Sequence, residues 1–302
     1  MKLALTGATG FVGGALLELM LSQGCTVRAL ARKEQKPRSG VGWVLGDLAK
    51  HDALVRLCEG CDALIHVAGV VNARDAAAFH AGNVAGTINM ISAARAGGVK
   101  RLVHVSSLAA RHPQLSLYGQ SKQQAEAAVA VSGMDWTIVR PPAVYGPGDT
   151  EMLELFRAAR SGVVPLPPSG RASLIAVDDL ARLLLACALQ DRTSRQIYEP
   201  DDGRPFGWSH AELARAIGAA IGKRRVWPIA LPAAVLRLAA RADRLIRGHG
   251  AKLTMDRVGY LLHPDWVADC ALWPPAAVWE PAIATRDGLR MTAQWYRKAG
   301  WL

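Results

Sequence analysis

What the chain lacks sets the first bounds. Nowhere in its 302 residues is there a stretch near the ~18 uninterrupted apolar residues that a membrane helix needs. The apolar Leu3-Ala4-Leu5 that follows Met-Lys is broken by Thr6, Gly7, Thr9 and Gly10, with Glu18 beyond, so it does not read as an export signal. Cysteine is scarce and odd in number, five in all, which argues against a disulfide scaffold and makes a reducing cytoplasm the expected location. Cys58-Glu-Gly-Cys61 has the spacing of zinc and redox sites, but no second pair accompanies it. A structural zinc needs four ligands, so no metal is expected. Aromatics make up only 6%, no basic stretch interleaves them, and no zinc-finger or helix-turn-helix spacing appears. Nucleic acid is therefore not an expected partner.

What is present is globular: 51% hydrophobic and 20% charged, enough for a sizeable core. The formal charge of +11 is spread along the chain and suits an anionic cofactor. In the first half, short apolar runs (3–5, 27–30, 43–45, 63–67, 102–105, 136–139) alternate with helical patterns (11–22, 51–58, 76–97, 118–132). That rhythm predicts an α/β fold, a Rossmann-type doubly wound parallel sheet buried on both faces. After Arg140 a Pro- and Gly-rich loop leads into helices near 150–160, 178–189, 209–221 and 231–247. Residues 1–140 are read as a dinucleotide-binding domain, with segments near 173–200 returning to the sheet, and 141–302 as a smaller, mostly helical substrate lobe. Six of the nine tryptophans follow position 226; Trp227, Trp266, Trp273 and Trp279 are expected as lobe core, with one or two lining an apolar pocket. The segment 232–247 carries Arg237, Arg241, Arg244 and Arg247 opposite Val235, Leu238, Leu245 and Ile246. This is read as a solvated basic face, with membrane-surface contact as the alternative.

Thr6-Gly7-Ala8-Thr9-Gly10-Phe11-Val12-Gly13 joins the first strand to the first helix in GxxGxxG spacing. Glycines there let backbone approach a pyrophosphate at the positive end of a helix, so Gly7, Thr9, Gly10, Phe11, Val12 and Gly13 are candidate cofactor contacts. The second strand ends Val27-Arg28-Ala29-Leu30-Ala31-Arg32-Lys33, with no acid to accept from the ribose hydroxyls of NAD. Arg32, helped by Lys33 or Arg28, is placed to pair with a 2′-phosphate, so NADP(H) is favoured and NAD(H) remains the alternative. Asp47, before Leu48, either meets the adenine amine or caps a helix.

Tyr118 and Lys122 stand four residues apart on one helical face, where the ammonium favours the phenolate and readies the phenol for proton exchange with a substrate oxygen. The strand before them ends in Ser106-Ser107, whose hydroxyl can hold the same oxygen, and Asn83 lies upstream as a relay partner.

With these elements in order, the chain resembles an extended short-chain dehydrogenase/reductase of the NAD(P)-dependent epimerase/dehydratase superfamily. The resemblance rests on TGATGFVG at 6–13, HVAG at 66–69, NVAGT at 83–87, YGQSK at 118–122, RPPAVYGPGD at 140–149, VDDLA at 177–181 and DGL…WYRKAGW at 287–301. It implies Tyr118 as acid/base, Lys122 as ribose anchor, Ser107 as polarising hydroxyl and Asn83 as support. It also implies Leu48, Val67, Ala68 and Gly69 along the cofactor, with Pro141 to Val144 against the nicotinamide, and a homodimer. Leu108-Ala109 replaces the acidic pair of sugar dehydratases. The arginines that hold a nucleotide-sugar diphosphate in the epimerases are out of step at Arg171 and absent at His263-Pro264-Asp265. The expectation is an NADPH-dependent carbonyl reductase or alcohol dehydrogenase acting on a small molecule. The alternatives are an NAD-dependent sugar epimerase and a non-catalytic cofactor-binding scaffold.

Overall fold

A computed structural model describes residues 1–251 and 253–302, with His249 described by its backbone alone. The chain forms two compact units: Met1–Pro141 with Asp178–Pro200 and Leu272–Glu280, and Pro142–Val177 with Asp201–Ala271 and Pro281–Leu302.

The first unit begins β1 (Lys2–Thr6), α1 (Phe11–Ser22), β2 (Thr26–Ala31), β3 (Val41–Leu45), α2 (His51–Cys58) and β4 (Ala63–His66). It continues with α3 (Ala76–Phe79), a π-helical turn (His80–Ala85), α4 (Gly86–Ala96), β5 (Arg101–Val105), α5 (Leu117–Ala130) and β6 (Asp135–Val139). One seven-stranded sheet runs in the order Gln196–Tyr198, β6, β5, β4, β1, β2, β3, and every pair is parallel. All residues of β4 and β5 are buried, which is why Ala63-Leu64-Ile65 and Leu102-Val103 run on as apolar residues rather than alternating with polar ones. Leu54, Leu57, Leu64, Met90, Leu102 and Val129 are central to its hydrophobic core. The strand order reverses between β1 and β4, and a parallel sheet opens a crevice for ligand at the carboxyl ends of such a strand pair.

The sequence predicts one helix over 76–97; the structure interrupts it with the turn 80–85. Insertions of this kind recur where a helix must aim a functional side chain, and Asn83 sits in this one.

The second unit is mostly helical, with Leu153–Ser161, His210–Ala220, Ala233–Arg247, Met255–Leu261 and Thr285–Lys298. Phe156, Ile217, Leu289 and Tyr296 form the centre of its core. Of the segments expected to return to the sheet, Gln196–Tyr198 does so beside β6. Leu174–Ala176 instead pairs with Ala143–Tyr145 in a separate two-stranded sheet. Nor does all of the C-terminal stretch belong to the lobe: the Glu199 N–H donates to the Leu272 carbonyl at 2.9 Å, and the Trp279 indole donates to the Asp179 carbonyl at 2.9 Å. Trp273 and Trp279 therefore lie in the first unit, and Trp227 is exposed. Among the described residues no helix is long and apolar enough to cross a membrane.

Candidate active site

The cradle at the end of β1 is built from close backbone contacts that leave no room for side chains. Gly7 has φ +76°, and a Cβ there would fall 2.9 Å from the Ala68 nitrogen. A Cβ on Gly13 would fall 2.1 Å from the Gly7 carbonyl oxygen, so α1 can start this near the turn only with glycine. Gly10 is the N-cap of α1 and offers no side-chain cap, and the first turn carries no acid. The opening N–H groups of α1 therefore face an anion site without competition, at the positive end of the helix dipole. Thr6 ties this turn to the neighbouring strand: its hydroxyl accepts from the Ala68 N–H at 3.1 Å and pairs with His66 Nδ1 at 2.7 Å. Val67, Ala68 and Gly69 follow β4 directly. These features fit the pyrophosphate of a dinucleotide.

Arg32 and Lys33 are exposed just beyond β2. Arg28 is engaged elsewhere, donating to the Arg56 carbonyl and lying 3.9 Å from Glu59, so it is not available to assist them. The Asp47 carboxylate accepts from the Ala49 N–H at 2.9 Å, folding the turn ahead of α2, whose N-cap is Lys50. The Leu48 carbonyl accepts from the Asn89 amide at 2.9 Å.

Four of the sequence-derived residues gather at the carboxyl ends of β4 and β5. Asn83 is buried; its side-chain oxygen accepts from the Val70 N–H at 2.7 Å while its amide donates to the Val70 carbonyl and to the Ser121 hydroxyl, both at 2.9 Å. Lys122 is buried one helical turn after Tyr118 and donates to the Val105 carbonyl at 2.7 Å. A Cβ on Gly69 would lie 3.0 Å from Asn83 Oδ1 and 3.8 Å from Lys122 Nζ, so glycine keeps this corner open. Ser107 caps the turn Leu108–Arg111, its hydroxyl accepting from the Ala109 N–H at 3.2 Å. A Cβ on Gly119 would come within 2.6 Å of the Ala109 oxygen, so the turn of α5 bearing Tyr118 lies directly against the turn that Ser107 begins. The Tyr118 ring is 6.2 Å from that of Phe79. Pro141 closes this group, its carbonyl accepting from the Leu108 N–H at 3.2 Å, whereas Val144 lies in the strand 143–145 of the second unit.

Burial holds the Lys122 ammonium down to about 8, opposed by nearby Glu126. His66 is pushed down to about 3 by burial and by Lys122, and His104 falls well below its ordinary value for the same reasons. Both imidazoles are neutral at pH 7. His66 joins Thr6 to Thr87, 3.2 Å from its Nε2, and Thr87 donates to the Asn83 carbonyl at 2.6 Å. His66 thus links β1 to the turn that carries Asn83, while His104 packs beside it with ring centroids 5.5 Å apart. Burial raises the Cys58 thiol to about 12, leaving it inert.

Sequence reasoning missed the ion network that fixes α5. Arg140 grips Glu126 through two hydrogen bonds of 2.9 and 2.6 Å and reaches Glu199 at 3.2 Å, while Arg111 meets Glu199 at 3.0 Å. Glu126, one turn past Lys122, is the only signal the sequence offers, and its partners lie 14 and more residues away.

A family model described as NAD(P)H-binding matches residues 7–191, more than half of the chain. The ceramide reductase of Caulobacter vibrioides is 38% identical, covering 99% of this chain and 95% of that protein. The UDP-glucose 4-epimerase of Vibrio cholerae is 27% identical over 99% of this chain and 96% of that protein. Among solved structures, MoeE5 in complex with UDP-glucose and NAD superposes with a TM-score of 0.76 at 19% identity, covering 99% of both chains, a likeness of fold. The chain thus belongs to the NAD(P)H-binding family, within the extended short-chain dehydrogenases/reductases of the epimerase/dehydratase superfamily.

Proposed function

We propose that this chain is an NADPH-dependent reductase of an apolar, lipid-like carbonyl compound, with Tyr118 as the proton donor. The observation that carries the reading is the 38% identity to a ceramide reductase over 99% of the chain. The pairing of Tyr118 and Lys122 on α5 supplies the chemistry.

When bound, a reduced nicotinamide dinucleotide supplies the hydride. Gly7, Thr9, Gly10, Phe11, Val12 and Gly13 hold its pyrophosphate, Arg32 and Lys33 its 2′-phosphate, and Val67, Ala68 and Gly69 its flank, with Asp47 and Leu48 toward the adenine. Pro141 is the residue of the first unit assigned to the nicotinamide side. The Ser107 hydroxyl donates to the substrate carbonyl oxygen and polarises it, and the Tyr118 phenol delivers the proton to that oxygen. Lys122, cationic at pH 7, stabilises the phenolate left behind. Asn83 is a positioning residue that fixes the Val70 backbone and Ser121 around this group.

Arg171 speaks against the nucleotide-sugar alternative. Its guanidinium donates to the Phe206 and Gly207 carbonyls, the latter at 3.2 Å, and so is not free to grip a diphosphate. Replacing Tyr118 by Phe tests the assignment. Turnover of a long-chain ketone should fall by about 10²–10⁴ while NADPH affinity holds within about twofold. Unchanged turnover, or NAD retained through purification together with activity on UDP-sugars, would overturn it.

A further inference from the structure

The helix Ala233–Arg247 leaves four of its five large aliphatic residues, Val235, Leu238, Leu245 and Ile246, exposed. It rests on the second unit through Leu236 and Ala240, which pack with Val258 and with Leu231, Leu253 and Leu262 in a small separate cluster. Leu245 is 87% exposed, Ile246 81% and Leu238 66%, and Val235 is exposed as well. The arginines are exposed, as a solvated basic face requires, and the apolar residues opposite them are open as well. The helix has three faces: a narrow buried one and, around the rest of its girth, an open apolar face and an arginine row.

The rows follow from helical spacing. Arg237, Arg241 and Arg244 are separated by four and three residues and form one exposed row. Leu238, Ala242 and Leu245 form the row beside it, with Val235 and Ile246 just beyond. Arg247 is tied at 3.2 Å to Asp243, and among the described residues Arg237, Arg241 and Arg244 have no ion-pair partner. The segment just before repeats the chemistry: exposed Lys223, Arg224 and Arg225 lead into a strand, Trp227–Ala230, that exposes Trp227 and Ile229 on one face. Large aliphatics this open are costly in water, and cations flanking an apolar stripe match the layered chemistry of an anionic lipid surface, phosphates outside and acyl chains within.

We propose that the helix Ala233–Arg247 docks this protein on anionic lipid bilayers, lying in the interface with Leu238, Leu245 and Ile246 among the acyl chains and Arg237, Arg241 and Arg244 at the phosphates. Under the proposed function this brings the enzyme to a substrate that resides in the membrane; the docking itself does not depend on that reading.

The test is flotation of the full chain with vesicles of phosphatidylglycerol and phosphatidylcholine in equal parts, against pure phosphatidylcholine. The chain should float with the anionic vesicles and not with the neutral ones, and should be released as salt rises. The double change Leu245→Glu with Ile246→Glu, and separately the triple change of Arg237, Arg241 and Arg244 to Glu, should each weaken partition roughly tenfold or more. Both variants alter exposed side chains, and unchanged NADPH affinity verifies that they fold. Flotation reads docking without turnover, so it stands or falls apart from the assignment of the reaction. Equal flotation of the wild type and the Leu245/Ile246 variant, or none with either vesicle, would overturn the proposal. So would a drop in sedimentation coefficient of that variant without lipid, which would assign the face to a second copy of the chain.

Discussion

Asn83 clasps the backbone of Val70 from both sides, its side-chain oxygen accepting from the Val70 N–H at 2.7 Å and its amide donating to the Val70 carbonyl at 2.9 Å. The same amide reaches the Ser121 hydroxyl on α5, so one buried side chain joins the loop after β4 to the helix that carries Tyr118 and Lys122. An Asn83→Ala change removes the clasp and leaves two Val70 backbone groups to find other partners. Turnover should fall about 10- to 100-fold, mainly in kcat, because the loss is in the placement of reacting groups. Asn83→Asp keeps the acceptor and loses the donors, and should recover only part of the rate. Steady-state kinetics on the three proteins decide this; a loss confined to KM would assign Asn83 to substrate binding instead.

Lys122 couples the site to stability. Its ammonium is held near 8, below its ordinary 10.5, because burial disfavours the charge. The folded value is the lower, so between about pH 8 and 10.5 the unfolded chain holds the extra proton and stability rises with pH. Below pH 8 the burial penalty is present in full, and for this shift it amounts to at most about 3 kcal/mol. A Lys122→Met variant lacks that penalty. Relative to it, the wild type should gain stability as pH is raised from 8 toward 10 in urea unfolding. Reductive turnover of the wild type should decline over the same range as the ammonium is lost. A constant stability difference across that range would show that Lys122 is not the group responsible.

The parts of this molecule legible in the sequence are those set by local contacts. The Gly7-to-Gly13 turn could be read because Gly7 takes a positive φ and Gly10 and Gly13 close on Gly7 itself, and Tyr118 with Lys122 because helical spacing puts them on one face. The π-turn at 80–85 was not legible, because it depends on Asn83 finding Val70 and Ser121, 13 and 38 residues away. The strand Leu174–Ala176 has the apolar look of a sheet strand, and only its partner, Ala143–Tyr145, sets it apart. The exposure of Leu245 and Ile246 was not legible either: large aliphatics at helical spacing usually mark a buried face, and here that face is open.

Arg140 holds two buried carboxylates, Glu126 at 7% side-chain exposure and Glu199 at 0%. Replacing it by Met leaves Glu126 charged and without its bidentate partner, and leaves Glu199 with Arg111 as its remaining arginine. Breaking a buried pair from one side costs about 3–5 kcal/mol. Thermal unfolding of Arg140→Met should show a fall in Tm on the order of 10 °C. An Arg140→Met, Glu126→Gln double variant should recover part of the loss, because the stranded charge is gone. No recovery would place the cost in packing around Arg140 rather than in the orphaned carboxylate.

The proposed choice of NADPH rests on Arg32 and Lys33, which follow β2 at the surface, exposed and with no acid before them in that strand. An exposed guanidinium contributes little until a doubly charged phosphate arrives, when it forms charge-assisted hydrogen bonds that a ribose hydroxyl cannot match. Arg32→Ala should therefore weaken NADPH by about tenfold, close to 1.4 kcal/mol, and leave NADH within about twofold. Replacing Arg32 by Asp should go further and invert the preference, since the carboxylate repels the 2′-phosphate and accepts from the ribose hydroxyls. Fluorescence titration of the wild type and both variants with each cofactor measures these affinities. Equal losses for NADPH and NADH would show that Arg32 serves the adenosine at large and that discrimination lies elsewhere. Arg28 is a control: its guanidinium is engaged by the Arg56 carbonyl and Glu59, so Arg28→Ala should leave the ratio of the two affinities unchanged.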